Sequence, residues 1–162
     1  MNKRLFVLLY VLTTIAFSAC SVAKTSTVNQ KIIAIRLKPG EDLKQSIQDL
    51  VNKNGIKAGW IVTCAGSLTN YNIRFANQPE GSTGSGFFEI TSLSGTVSDN
   101  GSHLHITVAD SSGMAIGGHL LNGCKIYTTA EIIIGYSDEL IFAREKDGST
   151  PWPELQIKLN NK

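Results

Sequence analysis

The chain has 162 residues, 42% of them hydrophobic and 17% charged, with 15 Lys and Arg against 13 Asp and Glu. That length suits one domain with a sizeable core. A formal net charge of +2 without a basic cluster lacks the cationic footprint by which proteins grip nucleic-acid phosphates.

The first twenty residues, "MNKRLFVLLYVLTTIAFSAC", join a basic start to an apolar run and end in small residues, which is the build of an export signal. The stretch resembles a bacterial lipoprotein signal, because Ser18 and Ala19 precede Cys20 as a lipobox requires, although Phe17 stands where Leu is usual. An uncleaved anchor and ordinary secretion are the alternatives, and the apolar stretch from Leu5 to Phe17 is short for a hydrocarbon core of about 30 Å. A lipid on Cys20 would tie the protein to a membrane without a spanning segment, on the periplasmic or outer-membrane face. Lys3 and Arg4 leave with such a signal, so thirteen charges of each sign remain and the mature chain is neutral. Residues 21–30, "SVAKTSTVNQ", read as a polar tether, and residues 31–160 as the folded domain.

"KIIAIRLKPG" alternates Ile33, Ile35 and Leu37 with other residues and stops at Pro39-Gly40, which predicts a strand and a turn. In "EDLKQSIQDLVNKNG", Leu43, Ile47, Leu50 and Val51 recur at helical spacing. This predicts an amphipathic helix with Glu41 and Asp42 in its first turn and Gly55 just past its end. From Ile56 onward the pattern is that of strands: "AGWIVTCAGSL", "NYNIRFAN", "SGFFEITSLSGTVS", "SHLHITVAD", "MAIGGHLL", "KIYTTAEIIIGY", "ELIFARE" and "LQIKL". "NQPEGSTGSG", residues 77–86, reads as the one long loop. One early helix followed by many short strands predicts an α+β domain on a curved antiparallel sheet. Cys64 and Cys124 lie in apolar segments without CxxC spacing, as a disulfide or as two buried thiols.

All three histidines fall within "HLHITVADSSGMAIGGHL", residues 103–120. Alternate strand residues share a face, so His103 and His105 point the same way. An antiparallel return after the Ser-Ser-Gly turn can bring His119 to that face. Three neutral imidazoles with an open fourth position suit Zn²⁺ or a similar divalent metal. Three unrelated surface or core histidines are the alternative. Gly117 and Gly118 directly before His119 signal a close approach of backbone or ligand, since a strand interior tolerates Gly poorly otherwise.

A metal-dependent enzyme would also need an acid or base and a group for an anionic substrate. Glu89 in "GFFEI" and Glu131 in "TAEII" sit among apolar neighbours, where a buried carboxylate needs a partner. Arg144 in "IFAR" is the candidate cation, able to hold a carboxylate at two points. A structural ion pair or a subunit contact would explain the same three residues. Trp60 and Trp152 are core or interface anchors, or pocket walls. Asp110 either builds the turn after the HxH strand or supports a histidine.

Together, "RLKPGE", "GWIVTCAGSL", "GFFEITSLSGTVS", "HLHITVAD", "IGGHLLNG" and "TAEIII" resemble the PPC family, the plant and prokaryote conserved domain, over about residues 31–157. The resemblance implies an α+β fold with a strongly bent, mostly antiparallel sheet and one main helix, assembled as a homotrimer. It places the family's HxH and GGH histidines on His103, His105 and His119, and so implies a divalent metal, zinc first. Stand-alone members often carry a DNA-binding label, but this chain has no Arg-Gly-Arg-Pro hook. The fold is similar to that of acetolactate decarboxylase, a zinc enzyme with an HxH pair and a later His, which suggests a lyase-like small-molecule chemistry by analogy alone. A DNA-binding protein and a purely structural assembly module are the other readings. One departure stands out: Thr150-Pro151-Trp152 occupies the place where the family usually has Thr-Gly and an aromatic.

Overall fold

A computed structural model describes residues 27–161, so the expected signal segment, Cys20 and most of the tether lie outside the described residues. The first strand, β1 (Lys31–Leu37), leads through Pro39-Gly40 into α1 (Leu43–Lys53). Leu43, Ile47 and Val51 are fully buried along one side of α1, as their spacing of four residues demands. Asp42 does not lie inside the first turn. It is the N-cap, with an extended backbone and a carboxylate that accepts from Gln45 N at 3.1 Å, because a short acidic side chain satisfies a free helical N–H better from outside the helix. Its other oxygen accepts from Gly123 N at 2.7 Å, which ties the helix start to a turn eighty residues away.

Seven strands follow: β2 (Gly59–Arg74), β3 (Ser82–Ser98), β4 (Gly101–Ala109), β5 (Ala115–Leu120), β6 (Lys125–Tyr136), β7 (Leu140–Glu145) and β8 (Glu154–Leu159). The fold is α+β and its strand pairings are antiparallel. The two segments expected on either side of Thr69 are one strand, β2. A register shift between Leu68 and Asn70 absorbs the polar residues that read as a break, as a β-bulge does. The loop expected at residues 77–86 is shorter, because Ser82–Ser85 pair with Ile73–Asn70. Ladder hydrogen bonds come from the backbone and need no apolar side chain there.

The main sheet runs β1-β6-β2-β3-β4-β5, and β5 also pairs with the end of β2. Strands β2, β3, β4 and β5 therefore close on themselves, which is the strong bend expected. β7 and β8 form a separate two-stranded sheet. One core fills the interior, with Leu68, Ile73, Leu104, Ile106, Leu120, Ile132 and Ile134 packed together with the buried face of α1. Each such side chain contributes about 1.5–3 kcal/mol by leaving water. Cys64 and Cys124 are free thiols, half-buried and buried, and burial pushes each thiol up to about 11.

Gly95 lies within β3, paired with Leu104 of β4, where the two backbones come close. Its φ is +131°, and a side chain there would stand 2.0 Å from the carbonyl oxygen of His103. Gly113, at φ +82° in the β4–β5 turn, has open space around it. Gly95→Ala should therefore cost at least about 2 kcal/mol, from strain and the displaced β4 backbone together, and Gly113→Ala only about 1 kcal/mol of backbone strain. Urea unfolding midpoints of the two variants check the order.

Candidate metal centre

Strand β4 buries Leu104, Ile106 and Val108 and so turns His103 and His105 to the opposite face. His105 lies directly opposite His119 in the β4–β5 ladder, and His119 lies opposite Arg74 where β5 meets β2. The third histidine is thus held between two strands. The close approach foreseen at the two glycines is to backbone. A side chain at Gly117 would come 2.9 Å from the Ile106 carbonyl oxygen, and one at Gly118 would come 2.6 Å from that of Arg74.

The rings of His103, His105 and His119 cluster with centroids 5.0, 5.1 and 5.8 Å apart. One nitrogen from each lies within 4.8 Å of the other two, and His103 Nε2 is 3.2 Å from His105 Nε2. Two nitrogens bound to one tetrahedral Zn²⁺ at 2.0–2.1 Å stand about 3.3 Å apart, so this pair already has the spacing of ligands. His119 Nδ1 is buried and has no hydrogen-bond partner, a costly state for a ring nitrogen. The donor set fits a divalent cation of the zinc kind: three imidazoles and no acidic oxygen within the cluster,.

The surroundings of His103 and His119 disfavour a proton on either ring. Burial, the Arg144 guanidinium and His105 hold His103 below the usual histidine range, against an opposing pull from Glu154. Burial first, then Lys44, His103 and Arg74, push His119 down to about 4. At neutral pH both offer lone pairs.

Arg144 on β7 reaches this site, and the two glutamates do not. The Arg144 Nη2 donates to Thr96 Oγ1 at 2.7 Å, beside His103 in the β3–β4 ladder. Glu89 and Glu131 are exposed, and neither makes an ion pair among the described residues. Their apolar neighbours Ile90, Ala130 and Ile132 point inward, and alternation turns the carboxylates to water. The expectation that they are buried and paired is therefore corrected. Asp110 builds the turn, accepting from Ser112 N at 2.8 Å and Met114 N at 3.0 Å. Trp60 packs over the backbone of Gly135. Trp152 is no core anchor, being 66% exposed at the rim of the site.

Two clefts adjoin the cluster. One of about 480 Å³ is lined by Arg74, His103, His119, Arg144, Trp152 and Glu154 among others. The other, about 350 Å³, shares His103, Arg144 and Glu154 and adds His105. A larger hollow of about 740 Å³ beside α1 holds amides and Lys44 but no histidine, and donor chemistry favours the smaller clefts. Arg74 and Glu154 were not singled out in the sequence. Arg74 reaches the site only through the β2–β5 pairing, and Glu154 only through the β7–β8 hairpin.

Known proteins agree with this architecture. Residues 24–138 match the family described as the Plants and Prokaryotes Conserved (PCC) domain. A bifunctional protein GlmU from a Synechococcus strain is 44% identical over 128 residues, 79% of this chain and 20% of that protein. The chain thus spans about a fifth of the length of the curated relatives it matches. A solved hypothetical protein from Salmonella has a TM-score of 0.81 at 36% identity, covering 83% of this chain and 97% of that one. A metal-containing protein from Archaeoglobus fulgidus has a TM-score of 0.68 at 25% identity, covering 80% and 95%. By the match over most of its length, the chain belongs to the Plants and Prokaryotes Conserved domain family, the one its motifs resemble.

Proposed function

We propose that this protein holds a divalent metal, zinc first, on His103, His105 and His119 and presents it to a small molecule in the adjoining cleft. The observation that carries the reading is the convergence of three imidazole nitrogens within 4.8 Å at the wall of that cleft. A solved relative described as metal-containing supports it. The metal would act as a Lewis acid toward a bound oxygen. This chain's part is to keep His103 and His119 unprotonated, to fix the three rings on paired strands and to place Arg144 beside them. The even balance of charge after the signal speaks against phosphate-driven DNA binding,.

The proposed setting is a membrane surface outside the cytoplasm, with lipid on Cys20 and three copies together. The signal-like residues 1–20 support the first part. The exposed Phe87 and Tyr127, whose rings meet at 4.7 Å on the sheet surface, supply apolar area for the second.

Untagged protein should carry about one equivalent of metal per chain by elemental analysis, and His103→Ala or His119→Ala should lower zinc affinity at least tenfold. Failure to take up zinc, cobalt, nickel or manganese would remove the reading. For chelator-stripped protein, the folded His119 resists a proton that the unfolded chain accepts from about pH 6.5,. Stability should be full above that pH and should fall as the pH drops toward 4, as urea midpoints across the range would record. Cys20→Ser should move the protein from the membrane pellet to the soluble fraction, where light scattering should give three chains.

A further inference from the structure

We infer that the cleft between the histidine cluster and the β7–β8 hairpin takes a small carboxylic acid with an apolar or aromatic body, its carboxylate gripped by Arg74 and Arg144. The inference rests on the metal reading only for the ligand's second oxygen, which would face His103 and His119. The volume, about 480 Å³, is that of a small-molecule site.

Charge and geometry select the ligand. Among the described residues neither arginine has a carboxylate within ion-pair distance, and Glu154 is the one acidic residue in the lining. Two guanidinium groups against one carboxylate leave the cleft with a positive charge even before a metal is counted. Arg144 uses Nη2 on Thr96, and Arg74 makes one long contact, Nη1 to the Gln78 carbonyl oxygen at 3.5 Å. Most of their ten N–H donors are therefore free. A planar guanidinium fork matches a carboxylate at two points. The body of the ligand has a flat apolar wall, because Trp152 stands exposed with its ring 6.0 Å from the Arg74 guanidinium carbon and is followed by Pro153. An α-oxygen on the acid would lie between the arginines and the imidazoles that line the same space.

Mandelate is the probe, with mandelamide as its uncharged counterpart of the same shape, each titrated calorimetrically into metal-free and zinc-loaded protein. Mandelate should bind in both states, more tightly with zinc, and mandelamide at least tenfold more weakly. Arg74→Gln and Arg144→Gln should each weaken mandelate by about tenfold or more, and mandelamide by much less. Equal binding of acid and amide, indifference to both substitutions, or no mandelate binding in either state would overturn the inference. If loss of the Thr96 contact unfolds Arg144→Gln, seen by circular dichroism, Arg74→Gln carries the comparison alone. Absence of zinc uptake would sink the metal reading separately, since the acid-to-amide ratio is also read on metal-free protein.

Discussion

The insertion of β5 between β4 and the end of β2 is the constraint on which the site depends. Two backbones approach Gly117 and Gly118 closely enough to exclude any side chain, and only then can His119 lie opposite His105 on one side and Arg74 on the other. The same closure turns a six-stranded sheet back on itself and encloses the core that Leu104, Ile106, Leu120 and Ile73 share. Inward residues of β4 hold the fold, and His103 and His105 on its outward face meet His119 of β5 in the cluster.

The electrostatics at the cluster are unusual for histidines at the edge of solvent. Burial and neighbouring cations both act against protonation of His103 and His119. A cationic neighbour beside an imidazole is unfavourable when the ring is charged and neutral when it is not. The Arg144 guanidinium favours the neutral form of His103, in which a ring nitrogen can offer its lone pair,. The buried, unpartnered Nδ1 of His119 belongs to the same pattern, a polar atom left unsatisfied by the protein itself.

Local patterns in the sequence were enough for α1, for the full span of β6, and for the shared face of His103 and His105, since periodicities of 3.6 and 2 need no partner to be read. Glu89 and Glu131 show where such reading fails. Apolar neighbours suggested burial, yet alternation places neighbours on opposite faces, and the carboxylates are exposed. Arg74, Thr96 and Glu154 were illegible for another reason: each enters the site through a pairing between distant segments, and register between distant strands is set by tertiary packing. The Thr150-Pro151-Trp152 departure marked the right place without disclosing its role, which is to put an indole at the mouth of the cleft.

The two-stranded β7–β8 sheet gives the site a modular construction. His103, His105, His119 and Arg74 lie within residues 24–138, the segment that matches the family, whereas Arg144, Trp152 and Glu154 lie beyond it, on or beside the hairpin. The imidazole cluster and the hairpin wall of the cleft therefore occupy different stretches of chain and different sheets. A substitution on β8 or just before it thus alters the wall of the cleft without touching the strands that carry the imidazoles.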